Sequence, residues 1–154
     1  EARARNPGLR IIVVDPRRTA TAAEADLHLA ILPGTDIALY NAMLHLMLWE
    51  GWIDEDYIRD HTAGFTELKQ TLREYTPEAA AHICGVAAAD IATAARWFAR
   101  SAATLSLYCQ GLNQSSHGTH NHCALINLHL APGHIGRPGA GAGEVTEASR
   151  SPAP

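Results

Sequence analysis

The chain has 154 residues, of which 47% are hydrophobic and 18% are charged, so it can bury the core of one domain. Its 16 acidic residues exceed its 12 basic ones, and the net charge of −4 argues against a nucleic-acid-binding surface and against a basic membrane-binding patch. Three cysteines without a Cys-x-x-Cys pair argue against a disulfide framework and a zinc ribbon, and no apolar run reaches the roughly 20 residues of a membrane span.

The first residues of the chain suggest the compartment in which the protein acts. It begins at Glu1, with no methionine and no apolar leader segment. We therefore expect an internal part of a longer protein in a reducing, cytoplasmic compartment.

Apolar runs and helical spacings predict the elements. In chain order, they are strands at residues 9–14 and 27–32, helices at 37–50, 54–58, 65–75, 77–84 and 87–101, a strand at 104–109 and a helix at 119–130. The strands are continuous apolar runs, which are typical of parallel strands buried on both faces. The segment after Gly139 is rich in small residues, and we expect it to be mobile.

Local signals set the helix ends. Thr35 or Asp36 can cap the helix at 37–50, and Asp54 can cap the next one. Thr76 followed by Pro77 opens a helix that Gly85 ends. This order of strands and helices predicts an α/β fold with a parallel sheet, and three strands are few for an independent domain.

The first polar cluster follows the first strand, at the sheet edge where open α/β folds bind ligands. Asp15 can accept hydrogen bonds from sugar hydroxyls or base amines, and Arg17 and Arg18 suit phosphate. A plain turn that ends the strand is the alternative.

Two more clusters follow the other strands. In Pro33-Gly34-Thr35-Asp36, glycine allows close approach of a ligand and a carboxylate can pair with the N1–H and amino group of guanine. In the stretch from Gln110 to Ser116, amide side chains can line a ligand with many donors and acceptors. A helix cap and a polar loop are the respective alternatives.

Other chemistry has weaker support. His117, His120, His122 and Cys123 lie close in sequence but lack the two-plus-two layout of a structural zinc site, so we predict solvent-facing polar residues. Asp15 alone would suit a nicotinamide-dependent dehydrogenase, but the Gly-x-Gly-x-x-Gly fingerprint is missing, as is a Walker A sequence.

Taken together in order and spacing, the motifs resemble the molybdopterin oxidoreductase family, whose members bind bis-molybdopterin guanine dinucleotide. The resemblance covers about residues 1–143. Its motifs are residues 11–19, 25–29, 33–43, 75–78, 85–86, 111–115, 124–130 and 133–141. Gly111-Leu112-Asn113-Gln114-Ser115 and Ile135-Gly136-Arg137-Pro138-Gly139-Ala140-Gly141 look most like bacterial assimilatory nitrate reductase, and formate dehydrogenase alpha subunits are the near alternative.

The resemblance implies a Rossmann-like cofactor-binding portion of a much longer enzyme. By position, Asp15, Pro16, Arg17, Arg18 and Thr19 would contact the nucleotide part of one molybdopterin guanine dinucleotide. Gly34, Thr35 and Asp36 would hold its guanosine end. Gln110, Gly111 and Gln114 would approach the pterin side. No catalytic residue and no metal ligand is assigned to this chain.

The resemblance also implies what the parent enzyme does. It would reduce nitrate to nitrite at molybdenum during nitrate assimilation, with electrons from a donor protein or reductase subunit passing through a [4Fe-4S] cluster. The ligands of the cluster and of molybdenum would precede this segment. We therefore expect no turnover, and poor solubility, from these residues alone; a non-catalytic nucleotide-binding scaffold is the non-enzyme alternative.

The end of the chain departs from the family pattern. After Gly141 the family continues with Pro-Phe-Ser-Leu-Thr-Gly-Gln, whereas this chain continues with Ala-Gly-Glu-Val-Thr-Glu. We therefore assign residues 1–143 to a partial α/β domain and expect residues 144–154 to be a disordered or foreign tail.

Overall fold

The computed structural model describes residues 2–145, which combine helices with short parallel sheets. β1 (Ile12–Val14) pairs in parallel with β2 (Leu27–Leu29), with Val13 opposite His28. β3 (Leu105–Tyr108) pairs in parallel with β4 (Gly141–Glu144), with Ser106 opposite Ala142. Within the described residues these are two separate two-stranded sheets. The predicted α/β fold with parallel strands is confirmed.

Helices make up most of the remaining regular structure. Within residues 2–145 they are α1 (Ala2–Arg5), α2 (Ala20–Ala23), α3 (Asp36–Trp49), α4 (Glu55–His61), α5 (Phe65–Thr71), α6 (Pro77–Cys84), α7 (Ala88–Arg100), α8 (Gln110–Asn113) and α9 (Gly118–Leu130), with a turn of 3-10 helix at Leu72–Glu74. None of these helices is long and apolar enough to cross a membrane.

Helices α4 and α6 begin at the capping residues that the sequence predicts. The side chain of Asp54 accepts a hydrogen bond from the Tyr57 N–H at 2.9 Å at the start of α4. The Thr76 hydroxyl accepts one from the Ala79 N–H at 3.2 Å, and α6 ends at Gly85 with a φ of 73°. These side chains satisfy N–H groups that a helix start leaves unpaired, so short sequence signals set the helix bounds.

The core is built around α3, which contacts α6, α7 and α9. Leu39, Leu44 and Met47 on α3 are fully buried, as is Ile91 on α7. Because α3 is apolar on most of its surface, it needs neighbours on several sides. This packing places the start of α3 beside the end of α6.

The structure corrects three expectations about the strands and loops. A fourth strand, β4, lies in the small-residue segment that we expected to be mobile, because pairing with β3 satisfies its backbone. β3 is not buried on both faces, since Leu105 and Leu107 are exposed. The polar stretch from Gln110 begins as the short helix α8 rather than as a loop. The predicted tail lies outside the described residues from position 146 onward.

Candidate functional site

The first polar cluster makes a tight turn at the carboxyl end of β1. The Asp15 N–H donates to the Leu29 carbonyl at 3.3 Å, and the Asp15 carboxylate accepts from the Arg17 N–H at 2.7 Å. The guanidinium Nε of Arg17 lies 3.6 Å from the same carboxylate. Pro16, Arg17 and Arg18 are exposed. The turn therefore presents guanidinium groups to solvent from a fixed backbone.

The end of this cluster starts a helix. The Thr19 hydroxyl accepts a hydrogen bond from the Ala22 N–H at 3.2 Å and caps α2. One side-chain contact was missed by sequence reasoning, since Nε2 of His28 lies 2.8 Å from the Asp15 carbonyl oxygen. His28 is in the middle of β2, and only the strand register brings it opposite this turn.

The second cluster is a hydrogen-bonded turn between β2 and α3. The Thr35 N–H and hydroxyl both donate to the Leu32 carbonyl, at 3.2 Å and 2.6 Å. Gly34 has a φ of 84°, and a Cβ added there would meet no atom within 4 Å. Thr35 occupies the cap position of α3, but its side chain does not cap the helix. The turn is ordered and leaves open space beside its glycine.

Asp36 is the carboxylate of this turn and opens α3. It is half-buried, and burial raises its pKa, while a hydrogen bond from its own backbone acts in the opposite direction. Burial, and secondarily the charge of Asp36, raises the pKa of Tyr40 one turn further along α3. The carboxylate is therefore partly withdrawn from water and would gain from a ligand that donates hydrogen bonds.

The end of α6 holds this turn in place, which sequence reasoning did not foresee. The Leu32 N–H donates to the Cys84 carbonyl at 2.8 Å, and the Cys84 thiol lies 3.6 Å from the Thr35 carbonyl. Burial raises the pKa of Cys84, with a smaller contribution from Asp36. Gly85 was identified as a helix end, but no local pattern could indicate that this end meets a turn about 50 residues earlier.

The third cluster lies at the carboxyl end of β3. Gln110 and Gly111 are in α8, Gln114 follows it, and the Gln114 N–H donates to the Gln110 carbonyl at 2.8 Å. All three residues are exposed. The Asn113 amide donates to the Glu144 carboxylate at 2.6 Å, which ties this cluster to β4.

The structure brings the first two clusters to one sheet edge. β1 and β2 are parallel neighbours, so Asp15 and the turn at Gly34 follow carboxyl ends on the same side. The third cluster follows a strand of the other sheet. In the described part of the chain, residues 2–145, no hydrogen bond or ion pair connects the third cluster to the first two. None of the predicted residues lines a cleft of about 660 Å³ whose wall includes Trp52, Arg100 and Arg137.

The histidine-rich segment does not form a metal site within the described residues. His117 and His120 are exposed, and Nδ1 of His122 lies 2.6 Å from the Gly118 carbonyl, which turns it back onto its own helix. No group of three or more potential metal ligands occurs among residues 2–145. His117, His120 and Cys123 are exposed, as predicted, whereas His122 is half-buried.

Two other histidines are buried and were not singled out by the sequence. Nε2 of His129 lies 2.8 Å from the Ser106 hydroxyl on β3, and both His129 and His134 pack against Phe98. Burial, and secondarily His134, lowers the pKa of His129 to about 4. Burial also lowers the pKa of His134. Both rings are therefore neutral near pH 7 and belong to the packing beneath β3.

Known proteins and a family model are similar to this chain over nearly its whole length. The family model described as molybdopterin oxidoreductase matches residues 1–152. The alpha subunit of F420-dependent formate dehydrogenase 1 from Methanococcus maripaludis is 45% identical over 139 residues, covering 90% of this chain and 21% of that protein. A nitrate reductase from Synechocystis sp. is 45% identical over 141 residues, covering 92% of this chain and 20% of that protein.

A solved structure has the same fold. Acetylene hydratase from Pelobacter acetylenicus superposes with a TM-score of 0.82 at 29% identity, covering 90% of this chain and 19% of that one. The chain thus spans about a fifth of the length of the relatives that it matches. With a family match along almost its full length and a shared fold, the chain belongs to the molybdopterin oxidoreductase family.

Proposed function

We propose that this chain holds part of a molybdenum cofactor of the bis-molybdopterin guanine dinucleotide type. Asp15, Pro16, Arg17, Arg18 and Thr19 contact the nucleotide, and Gly34, Thr35 and Asp36 hold its guanosine end. Gln110, Gly111 and Gln114 approach the pterin. The observation that carries the proposal is that the first two clusters leave the same edge of the β1–β2 sheet, with Arg17, Arg18 and Gly34 exposed and Asp36 half-buried.

The residues present fit the nucleotide part of such a cofactor. Exposed Arg17 and Arg18 can pair with phosphate oxygens, and the open space at Gly34 lets a ligand approach the backbone. No side chain among the described residues donates to the half-buried Asp36 carboxylate, and the N1–H and amino group of guanine would supply two donors. Adenine offers no such pair of donors, so we expect selectivity for guanine.

The parent enzyme is proposed to be a cytoplasmic nitrate reductase that acts in nitrate assimilation. When bound, the molybdenum cofactor supplies two-electron redox chemistry, and a [4Fe-4S] cluster elsewhere in the parent would relay electrons from a donor protein. The residues of this chain bind and orient the cofactor. Support comes from the motifs at residues 111–115 and 135–141 and from the Synechocystis relative. We expect no nitrate reduction from this chain by itself.

Formate oxidation is the second candidate. The formate dehydrogenase subunit from Methanococcus maripaludis is as similar to this chain as the nitrate reductase is, at 45% identity over nearly the same span. The same cofactor-binding residues serve either reaction. The two candidates therefore differ in chemistry that the parent would supply outside this segment.

Nucleotide binding tests the site directly. We expect the chain, within the full-length gene product freed of its cofactor, to bind GMP at least tenfold more tightly than AMP in calorimetric titrations, and Asp36→Asn to remove that preference. Asp90→Asn is the matched control, because Asp90 is also a half-buried carboxylate in the first turn of a helix, α7. Equal affinity of the unsubstituted chain for GMP and AMP would contradict the assignment of Asp36.

Dye-linked assays of the full-length gene product test the reaction. We expect reduced methyl viologen to be oxidised with nitrate and nitrite to accumulate, and growth on tungstate to abolish this activity. Formate-dependent reduction of benzyl viologen without nitrate reduction would favour the second candidate. Activity that is independent of molybdenum would contradict both.

A further inference from the structure

Leu32 is an exposed aliphatic side chain at the start of the Gly34 turn. Its side chain is 54% exposed, whereas Leu29 and Ile31 just before it are buried. An isolated exposed leucine on a protein surface needs no explanation. This one differs because it lies in the turn that leads to Asp36, a half-buried carboxylate to which no side chain among residues 2–145 donates a hydrogen bond, and this turn is proposed to hold a nucleotide base.

The backbone of Leu32 is fixed on both sides. Its N–H donates to the Cys84 carbonyl at 2.8 Å, and its carbonyl accepts from both the N–H and the hydroxyl of Thr35. A residue with three hydrogen bonds to two different elements keeps its position without a ligand. The exposure of the side chain is therefore built into the turn, and a ligand that covered it would not need to order it first.

Gly85 leaves the space in which the Leu32 side chain lies. A Cβ added at Gly85 would come within 3.2 Å of Cγ and within 3.7 Å of both terminal methyl carbons of Leu32. The leucine therefore rests flat across the end of α6 and presents its other side to solvent. Asp36 directly follows Thr35, whose carbonyl oxygen lies 3.6 Å from the Cys84 thiol at the same helix end. The exposed leucine and the half-buried carboxylate thus belong to one turn that is held against the end of α6.

We propose that Leu32, resting on Gly85, is the platform on which the purine ring of the bound nucleotide lies. The inference depends on the proposed nucleotide site and adds a division of roles within it. A flat heteroaromatic ring needs apolar contact on its face and hydrogen bonds at its edge, and Leu32 and Asp36 supply one each. Leu32 contributes affinity for any purine, and Asp36 contributes the selection of guanine.

The two roles predict different changes in nucleotide affinity: one variant lowers both affinities, and the other changes their ratio. Leu32→Ala weakens binding of GMP and AMP by the same factor, about tenfold, because contact with the ring face is lost for both bases. The ratio of the two affinities stays unchanged. Leu105→Ala is the matched control, since Leu105 is 57% exposed on the other sheet, and it leaves both affinities unaltered.

Methyl NMR of the leucine-labelled chain provides a readout that a purely structural role would not give. With GMP as the probe, the Leu32 methyl signals shift upfield under the ring current and show an NOE to guanine H8, whereas the Leu105 signals stay in place. The Leu32→Ala spectrum assigns the signals.

The outcomes separate the two levels of the proposal. GMP binding that depends on Asp36 but is unaffected by Leu32→Ala, with no upfield shift, overturns the platform and leaves the proposed nucleotide site intact. Failure of the unsubstituted chain to bind either nucleotide overturns the proposed site and the platform together.

Discussion

The two sheets of this protein each contain a leucine-rich strand, β2 or β3, and these two strands are buried to different extents. Leu29 on β2 is 0% exposed, whereas Leu107 on β3 is 67% exposed. β2 contacts α2 and α7, while α9 contacts β4 and, through His129 and Ser106, the inner face of β3. The outer face of β3 has no cover within the described residues. An apolar run therefore indicates a strand, but only the neighbouring elements determine how many of its faces are buried.

The same contrast extends to the candidate site. The Gly34 turn beside the first sheet is fixed by hydrogen bonds to α6. The Gln110 cluster beside the second sheet is tied to β4 through one side-chain hydrogen bond, between Asn113 and Glu144. We expect the first region to bind a ligand as it stands and the second to respond more to changes in its surroundings.

The largest expected effect tests the contrast in burial directly. Leu29→Ala should lower the free energy of unfolding by about 2–5 kcal/mol, because it leaves a cavity in the core. Leu107→Ala, the same change on the other sheet, should alter it by less than about 0.5 kcal/mol. Urea denaturation followed by circular dichroism measures both. Equal losses for the two variants would show that the β3 face is covered in solution.

A second effect concerns acid stability beneath β3. Since burial lowers the pKa of His129 to about 4, the folded state binds fewer protons than the unfolded state between pH 4 and about 6.5. The stabilisation is complete above pH 6.5 and is lost as the pH falls toward 4, by roughly 2–3 kcal/mol. Urea titrations across this range measure the slope.

Two histidine variants show which side chain causes the pH dependence of the free energy of unfolding. His129→Gln removes the titrating ring and should reduce the slope to the part that His134 contributes, whereas His120→Gln, on the exposed part of α9, should leave the slope unchanged. An identical slope in the His129 variant would place the titration elsewhere.

A third prediction concerns the loss of stability when a side chain is added where α8 packs against α9. A Cβ at Gly118 would lie 2.7 Å from the Asn113 carbonyl oxygen, so Gly118→Ala must displace α8 and should cost about 1–3 kcal/mol. Gly111→Ala is the matched control within α8, where an added Cβ meets no atom within 4 Å. We expect that control to be neutral or slightly stabilising in thermal melts. A neutral Gly118 variant would indicate that this region is more loosely packed.

The smallest effect concerns the helix that holds the Gly34 turn. Thr76→Ala removes the side-chain cap of α6 and should cost about 1 kcal/mol. Thr71→Ala, at the exposed end of α5, removes a hydroxyl that caps no helix start and should change stability by a few tenths of a kcal/mol. Hydrogen exchange at the Leu32 amide shows whether loss of the cap also loosens the turn. Unchanged exchange there would separate α6 stability from the order of the turn.

The sequence correctly predicted that the three polar clusters lie at strand ends. It did not predict the strand pairing and the tertiary contacts around them. The pairing of β3 with β4 was missed because Gly141, Ala142 and Gly143 have low β propensity, and only the partner strand orders them. The contact between Cys84 and the Gly34 turn was missed because the two segments are distant in sequence. His129 and His134 gave no signal because burial depends on what surrounds a ring.

The sequence by itself determined the α/β class, the ends of several long helices and the family resemblance. Each of these rests on patterns within a few residues, such as the caps at Asp54 and Thr76 and the helix end at Gly85. Only the tertiary structure decided which strands pair, which face of β3 stays open and how α6 holds the proposed nucleotide turn. Hydrogen bonds within a helix are local, whereas strand pairing and burial join segments that are far apart along the chain, so no short pattern can specify them.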